Sequence, residues 1–454
     1  MARRPDPSDA HLAPASPPLP KSPARVDTAR APAPPAARSQ RGGVRFQMFI
    51  ALRHRNFLYL WLSNLCHASA GWFQQITVPW VVWQVSHSPF WVGVAGGMRS
   101  FPFLFIGPLA GVLADRVDRR KMVLVVQSSL AVVVFAFAIG MQGGYVIGKV
   151  GIVYAILFTV IAGVLQTLIQ PVRQAMVANT VPRQDLWNAI ALNAIAGNVA
   201  RVVGPGLGGV LIAWLSPAVN FFIQGGLFVM MGVMMLPIKL PYREELTARR
   251  SSVMANLKQG FSYVVSDRLI RHLLMLSYIP ALFVASVLQL MPVIADEVLG
   301  KGAAGFGFLV LAMGIGGLLG TICFASLGGA FSRGGVGLLA LVLLSCAVIA
   351  LGLSTWPVMS LGAMFCMGFL RIAFQINNNT LLQVSVPDGL RGRVMALYHL
   401  DHGFTPLASM AVGLMAEFLS AHLVVVLVGS ASLALALYAL SAYKDVRRME
   451  QVRG

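Results

Sequence analysis

The stretch GVLADRVDRRKMVLVVQSSLAVVVFAFAIGMQ, residues 111–142, decides how the rest of the chain is read. Its second part, Met122 to Gln142, runs without a charged side chain. At about 1.5 Å per residue, such a run crosses the roughly 30 Å hydrocarbon core of a bilayer as one helix. Its first part crowds Asp115, Arg116, Asp118, Arg119, Arg120 and Lys121 into one water-facing turn. Lipid offers the backbone no hydrogen bonds, so a spanning segment must be a helix or part of a closed barrel. A barrel needs strictly alternating segments of about 10 residues, and this sequence has no such alternation.

Outward from this stretch the pattern repeats. Of 454 residues, 57% are hydrophobic and 11% charged, against about 25% charged in soluble domains. Apolar runs predict helices at 57–84, 89–114, 121–142, 148–171, 186–214 and 217–238, then at 270–297, 303–328, 335–354, 357–383, 391–417 and 422–443. The expected fold is an all-α membrane protein of 12 transmembrane helices in two six-helix halves. Residues 46–238 form the N-terminal half and 269–445 the C-terminal half. Between them lies a polar loop, 239–268, in which Asn256 to Arg271 reads as an amphipathic helix on the membrane surface. Residues 446–454 form a short tail.

Residues 1–45 hold ten of the 25 prolines, with Ala, Ser and Arg and no apolar core of a secretory signal. They read as a disordered tail. Of 35 Lys and Arg, 30 fall on the side of the membrane that carries both termini. That asymmetry predicts cytoplasmic termini; the expected location is a bacterial inner (plasma) membrane. It also accounts for the net charge of +19 without a nucleic-acid partner. The four cysteines lie within apolar runs without metal-ligand spacing, so no metal or cofactor is expected.

The halves resemble each other weakly. Gln170 to Pro182 precedes Gln375 to Pro387 by 205 residues, and both segments end in Val-Pro. Each is followed by a polar turn and a helix with proline inside it: Pro205 in one, Pro406 in the other. Six-helix repeats of this kind predict alternating access around a solute site between the halves.

The segment Gly111 to Lys121 resembles the cytoplasmic-loop signature of the major facilitator superfamily. The resemblance implies that Gly111, Asp115, Arg116, Asp118, Arg119 and Arg120 form a gating motif, with Asp115 and Arg116 in contact between the halves. The second-half equivalent, Ser326 to Gly335, lacks the acid. In the fifth span, Arg201, Gly204, Pro205, Gly208 and Gly209 resemble the fifth-helix motif of antiporters of that superfamily, which implies export. Glycine-rich packing is the alternative reading of the same residues. The pieces Pro171 to Met176, Val181 to Leu186 and Arg391 to Tyr398 resemble its drug and siderophore exporter branch, of enterobactin-exporter and macrolide-efflux type. The resemblance covers residues 46–445 and implies a monomeric transporter in the lipid bilayer, driven by a proton gradient and moving a small organic molecule.

Ionisable groups at membrane depth are functional candidates. Asp401, ten residues past Arg391, is the expected proton-coupling residue, with His399 and His402 beside it. Arg99 and Arg371 favour anionic or polyhydroxylated solutes. In the resembled fold, helices one, four, seven and ten line the cavity. That places Trp72, Gln74, Gln75, Gln166, Gln170, Tyr278, Gln289, Gln375 and Asn378 there with Arg99 and Arg371. Packing between helices is the competing role for each.

No P-loop, His-Glu-x-x-His or Gly-x-Ser-x-Gly pattern occurs, so neither an ATPase nor a hydrolase is indicated. The alternatives are a lysophospholipid or other lipid transporter without proton coupling, and a non-transporting sensor that keeps the fold.

Overall fold

The computed structural model describes residues 47–239, 253–327, 334–398 and 400–449; within them the side chains of 47, 48, 104, 108–116, 253–257, 325, 327, 388, 401 and 402 are excluded. The expected tail 1–45, residues 328–333 and His399 lie outside the described residues, as do the side chains of Gly111, Asp115, Arg116, Asp401 and His402.

The first half contains α1 (Arg55–Ser86), α2 (Pro89–Arg116), α3 (Arg119–Gln142), α4 (Gly148–Thr180), α5 (Leu186–Trp214) and α6 (Pro217–Met235). After α7 (Val253–Ser266) comes α8, the rod Arg268–Val298. Two π turns, Pro280–Val284 and Ile294–Val298, and a 3-10 turn, Leu288–Leu290, interrupt α8. Then follow α9 (Gly302–Leu327), α10 (Gly334–Leu353), α11 (Pro357–Ser385), α12 (Asp388–Tyr398), α13 (Asp401–Phe418), α14 (Ala421–Ala442) and the short α15 (Lys444–Arg447). There is no strand among the described residues.

Among the described residues, ten rods are long and apolar enough to cross a membrane, against the twelve spans expected. The first expected span, α1, has the length, 32 residues, but Asn64, His67, Gln74 and Gln75 lower its hydropathy. The eleventh is divided into α12 and α13, so Asp401 begins a helix and does not lie ten residues inside a continuous one. The expected amphipathic helix is also divided. Asp267 accepts a hydrogen bond from the Ile270 amide at 3.1 Å and caps a new helix, so Arg268 and Arg271 belong to α8. The outer part, α7, packs Gly260 against Arg393 and exposes Phe261 and Val265.

The Val-Pro pairs end helices as the repeat predicts. A proline disfavours helical geometry in the residue before it. Val181 (φ −130°, ψ 152°) stops α4, and Val386 (φ −93°, ψ 130°) stops α11.

Because the chain reverses at every turn, the bundle has a terminal end, with α1 and α14 leading to the termini, and a far end. At the terminal end His54 meets Asp185 at 2.8 Å, and Asn188 accepts from the Ala51 amide at 3.0 Å. There too His272 bonds Asp445 at 2.8 Å and stacks on Tyr443 at 3.8 Å, docking α15. Burial, together with Tyr438 and Asp445 nearby, raises the Tyr443 phenol above its usual pKa.

The halves meet along two seams, α2 against α13 and α5 against α9. A Cβ added to Gly93 would sit 2.5 Å from the Ser409 carbonyl oxygen, and one added to Gly413 would sit 2.7 Å from that of Pro89. In the other seam a Cβ on Gly209 would lie 2.5 Å from Cα of Gly307. Both seams are thus backbone against backbone, which only glycine permits. Gly307→Val is expected to destabilise the solubilised protein by about 1–3 kcal/mol in thermal unfolding. Gly226→Ala, whose Cβ enters open space, is expected to leave the midpoint unchanged.

Candidate functional site

A cavity of about 500 Å³ lies between the halves, near the middle of the helices. This is within the size range of small-molecule sites. Its walls carry Trp72, Gln74 and Gln75 from α1, Arg99 from α2 and Arg201 from α5. From the other half come Gln289 of α8, Arg371 and Gln375 of α11, and Thr405 of α13. Among the described residues, no aspartate or glutamate lines it.

The arginines are placed differently. Arg99 donates to Oε1 of Gln75, which orients its guanidinium along α1. Arg201 has no hydrogen bond or ion pair among the described residues, so its donors face the cavity. Gly96 has no side chain, and the Gln289 amide occupies that space. Apolar cover comes from Phe306, Val310 and Met313 of α9.

Behind the wall lies a buried amide cluster. Oε1 of Gln74 accepts from Gln166 at 2.6 Å and from Gln224 at 3.3 Å. Asn220 donates to Thr77 at 3.1 Å and to the Gly208 carbonyl at 2.9 Å. Gln166 therefore supports the cavity from one layer back. Gln170 is exposed and away from the lining. Tyr278 donates to the Leu397 carbonyl at 2.9 Å, and Asn378 to that of Leu273 at 3.1 Å, so both join helices within their half.

The fifth-helix motif combines three roles. Gly204 admits Trp72, Gly208 lies against Phe73 and Asn220, and Gly209 forms the seam. Pro205 stands inside the helix with its carbonyl oxygen against Gly307. Arg201, which the sequence grouped with these packing residues, lines the cavity.

The loop motif laces the first half together. Asp118 caps α3 by accepting from the Lys121 amide at 2.9 Å. Arg119 donates to Asn179 at 2.9 Å, at the end of α4, and Arg120 to the Leu236 carbonyl beyond α6. Sequence reasoning did not anticipate Arg173. It is buried on α4 and donates to Asn64 at 3.1 Å, while Asn64 donates to Asn193 at 2.6 Å. A cation seven residues before the end of a long apolar helix was the available signal. Also unanticipated were Thr405 and the far-end pairs Trp83–Asp296 (2.8 Å) and Ser88–Glu417 (2.7 Å).

Two helical halves around a central polar cavity define a multi-pass membrane transporter rather than an enzyme. Residues 47–453 match the family model described as transmembrane secretion effector. The chain belongs to this family, within the major facilitator superfamily. It is 23% identical over 363 residues to the staphyloferrin A transporter of Staphylococcus aureus (strain NCTC 8325 / PS 47), covering 79% of this chain and 89% of that protein. It is 25% identical over 328 residues to the enterobactin exporter EntS of Shigella flexneri, covering 71% and 75%. The fold is that of the nucleoside transporter NupG, at TM-score 0.68 and 12% identity over 87% of this chain and 99% of that one.

If the cavity is the pathway, Gly96→Val, which forces Gln289 further into it, should reduce transport at least tenfold. Its elution and melting should match the unaltered chain. Uptake into or efflux from proteoliposomes at half the original rate or more would place the pathway elsewhere.

Proposed function

We propose that this chain is a secondary active exporter that moves a small, siderophore-like organic anion by alternating access and is driven by a proton gradient. The observation that carries the reading is the central cavity, with Arg99, Arg201 and Arg371 on its walls and no acid in its lining among the described residues. A carboxylate or phenolate entering it would meet the free donors of Arg201, in surroundings of low dielectric where charge-assisted hydrogen bonds are strong. The relatives named for staphyloferrin A and enterobactin support a solute of this class.

In this proposal the terminal end faces the cytoplasm of a bacterium, as the Lys and Arg distribution indicates. The seam glycines Gly93, Gly209, Gly307 and Gly413 lie between the cavity and the far end, so this state is shut toward the outside. Asp115 and Arg116 are proposed to form the terminal-end gate. Asp401, with His399 and His402, is proposed to carry the coupled proton.

The test is proteoliposomes loaded with a pH-sensitive dye and challenged with anionic, neutral and cationic solutes under an imposed proton gradient. An anion-dependent proton flux is expected, abolished in Asp401→Asn. Arg201→Gln is expected to weaken the anion at least tenfold while leaving neutral solutes unaffected. Equal competition by neutral and cationic dyes would refute the anionic assignment. Solute movement without proton flux, unchanged in Asp401→Asn, would refute the coupling.

A further inference from the structure

Away from the cavity, the first half buries a second cation. Arg173 stands on α4, roughly 10 Å from the end of that helix, and is 6% exposed. Its Nε and Nη2 both donate to Oδ1 of Asn64 on α1, whose own amide is spent on Asn193 of α5. Nη1 is buried and has no partner among the described residues. Ser63 and His67 stand one helical turn apart on the same face of α1, with Asn64 between them in sequence. Oγ of Ser63, which is 0% exposed, and Nδ1 of His67 are likewise buried and without a partner among the described residues. Other hydroxyls of this half turn back onto their own helices: Thr77 to the Phe73 carbonyl at 2.7 Å, Thr159 to that of Ala155 at 2.7 Å and Thr167 to that of Gly163 at 2.8 Å. Ser63 does not, so its proton is turned toward something other than α1.

Water completes hydrogen bonds, but it does not balance charge. Among the described residues, the charges that reach His67 are the guanidinium groups of Arg173 and Arg99. Both donate to neutral amide oxygens, Arg173 to Asn64 and Arg99 to Gln75. Among the described residues, no aspartate or glutamate acts on Arg173. The group that does is Cys66, and an ordinary thiol is neutral at pH 7. A buried cation without a counter-charge is costly, in a protein interior and at membrane depth alike.

We propose that Arg173, His67 and Ser63 hold a small inorganic anion, of the size and charge of chloride, as a fixed counter-ion inside the first half. Nη1 of Arg173 and the Ser63 hydroxyl donate to it, and His67 joins as the tautomer that carries its proton on Nδ1. The ion ties α1 to α4 beside the bond from Arg173 to Asn64. None of the three residues lines the central cavity. The site is therefore separate from the one proposed for the solute, and the inference does not depend on that reading.

The test is thermal unfolding of the full chain in a neutral detergent, in sodium chloride or in sodium gluconate at equal ionic strength. Between zero and about 200 mM chloride the midpoint is expected to rise by about 2 °C or more and then level off, because an ion that binds the folded state stabilises it by mass action. Arg173→Gln removes the charge that calls for the ion and should lose the rise. Arg201→Gln, which alters the cavity, should keep it. Ser63→Ala with His67→Phe keeps the guanidinium and removes the other donors. That protein should need at least tenfold more chloride for half the rise, which keeps the answer readable if Arg173→Gln folds poorly. Crystals soaked in bromide should show an anomalous peak beside Nη1 of Arg173. Either a midpoint indifferent to chloride or no bromide peak beside Arg173 would overturn the proposal and leave ordered water as the partner of these donors. So would a chloride response kept in Arg173→Gln and lost in Arg201→Gln, which would put the anion in the cavity.

Discussion

The architecture depends on the approach of backbone to backbone where Gly209 meets Gly307 and where Gly93 and Gly413 bring α2 against α13. Hydrocarbon gives apolar helices no reason to leave it for one another, so close packing must hold the halves together. Glycine permits that packing without interlocking side chains. The resulting surfaces are smooth and can part without unpicking knobs from holes. In the proposed alternating-access cycle a seam that closes and opens needs that property, and the central cavity lies on one side of the convergence of the helices.

What the glycines leave unspecified, a few polar bonds supply. Trp83 to Asp296 and Ser88 to Glu417 cross between the halves, whereas Arg119 to Asn179 and the cluster around Gln74 act within the first half. The division is functional in character. Bonds within a half tie its helices to one another; among the described residues, the bonds of Trp83 and Ser88 tie one half to the other at the far end. The two halves are also unequal. Gln74, Gln166, Gln224 and Asn220 place a buried amide cluster behind one wall of the cavity. The described contacts of Tyr278 and Asn378 instead bind helices of the second half to each other.

The sequence made the helices legible because membrane spans are coded by length and hydropathy, and Val-Pro fixed the ends of α4 and α11 through local sterics. The two rods that departed from this, α1 and the divided α12–α13, are those in which polar groups replace apolar ones for reasons of tertiary structure. The cavity was legible in part. Trp72, Gln74, Gln75, Arg99, Gln289, Arg371 and Gln375 line it because helix periodicity and the resembled fold point them inward. Gln170, Tyr278 and Asn378 share those helices but sit at other rotations or depths, which one-dimensional spacing does not resolve. Arg201 was read with its glycine neighbours because nothing in a linear motif separates a packing face from a cavity face. Asp296 and Glu417 stood at span ends, where an acid reads as a solvated turn. Only the meeting of two halves shows what they hold.

The central claim is that the far end must part for a solute to cross. It is tested most directly by Ser88→Cys with Glu417→Cys in the chain freed of its native cysteines, joined by a short thiol cross-linker in membrane vesicles. Solute flux should stop when the link forms and return when a cleavable linker is reduced. Flux that continues at the unlinked rate in quantitatively cross-linked protein would contradict the account.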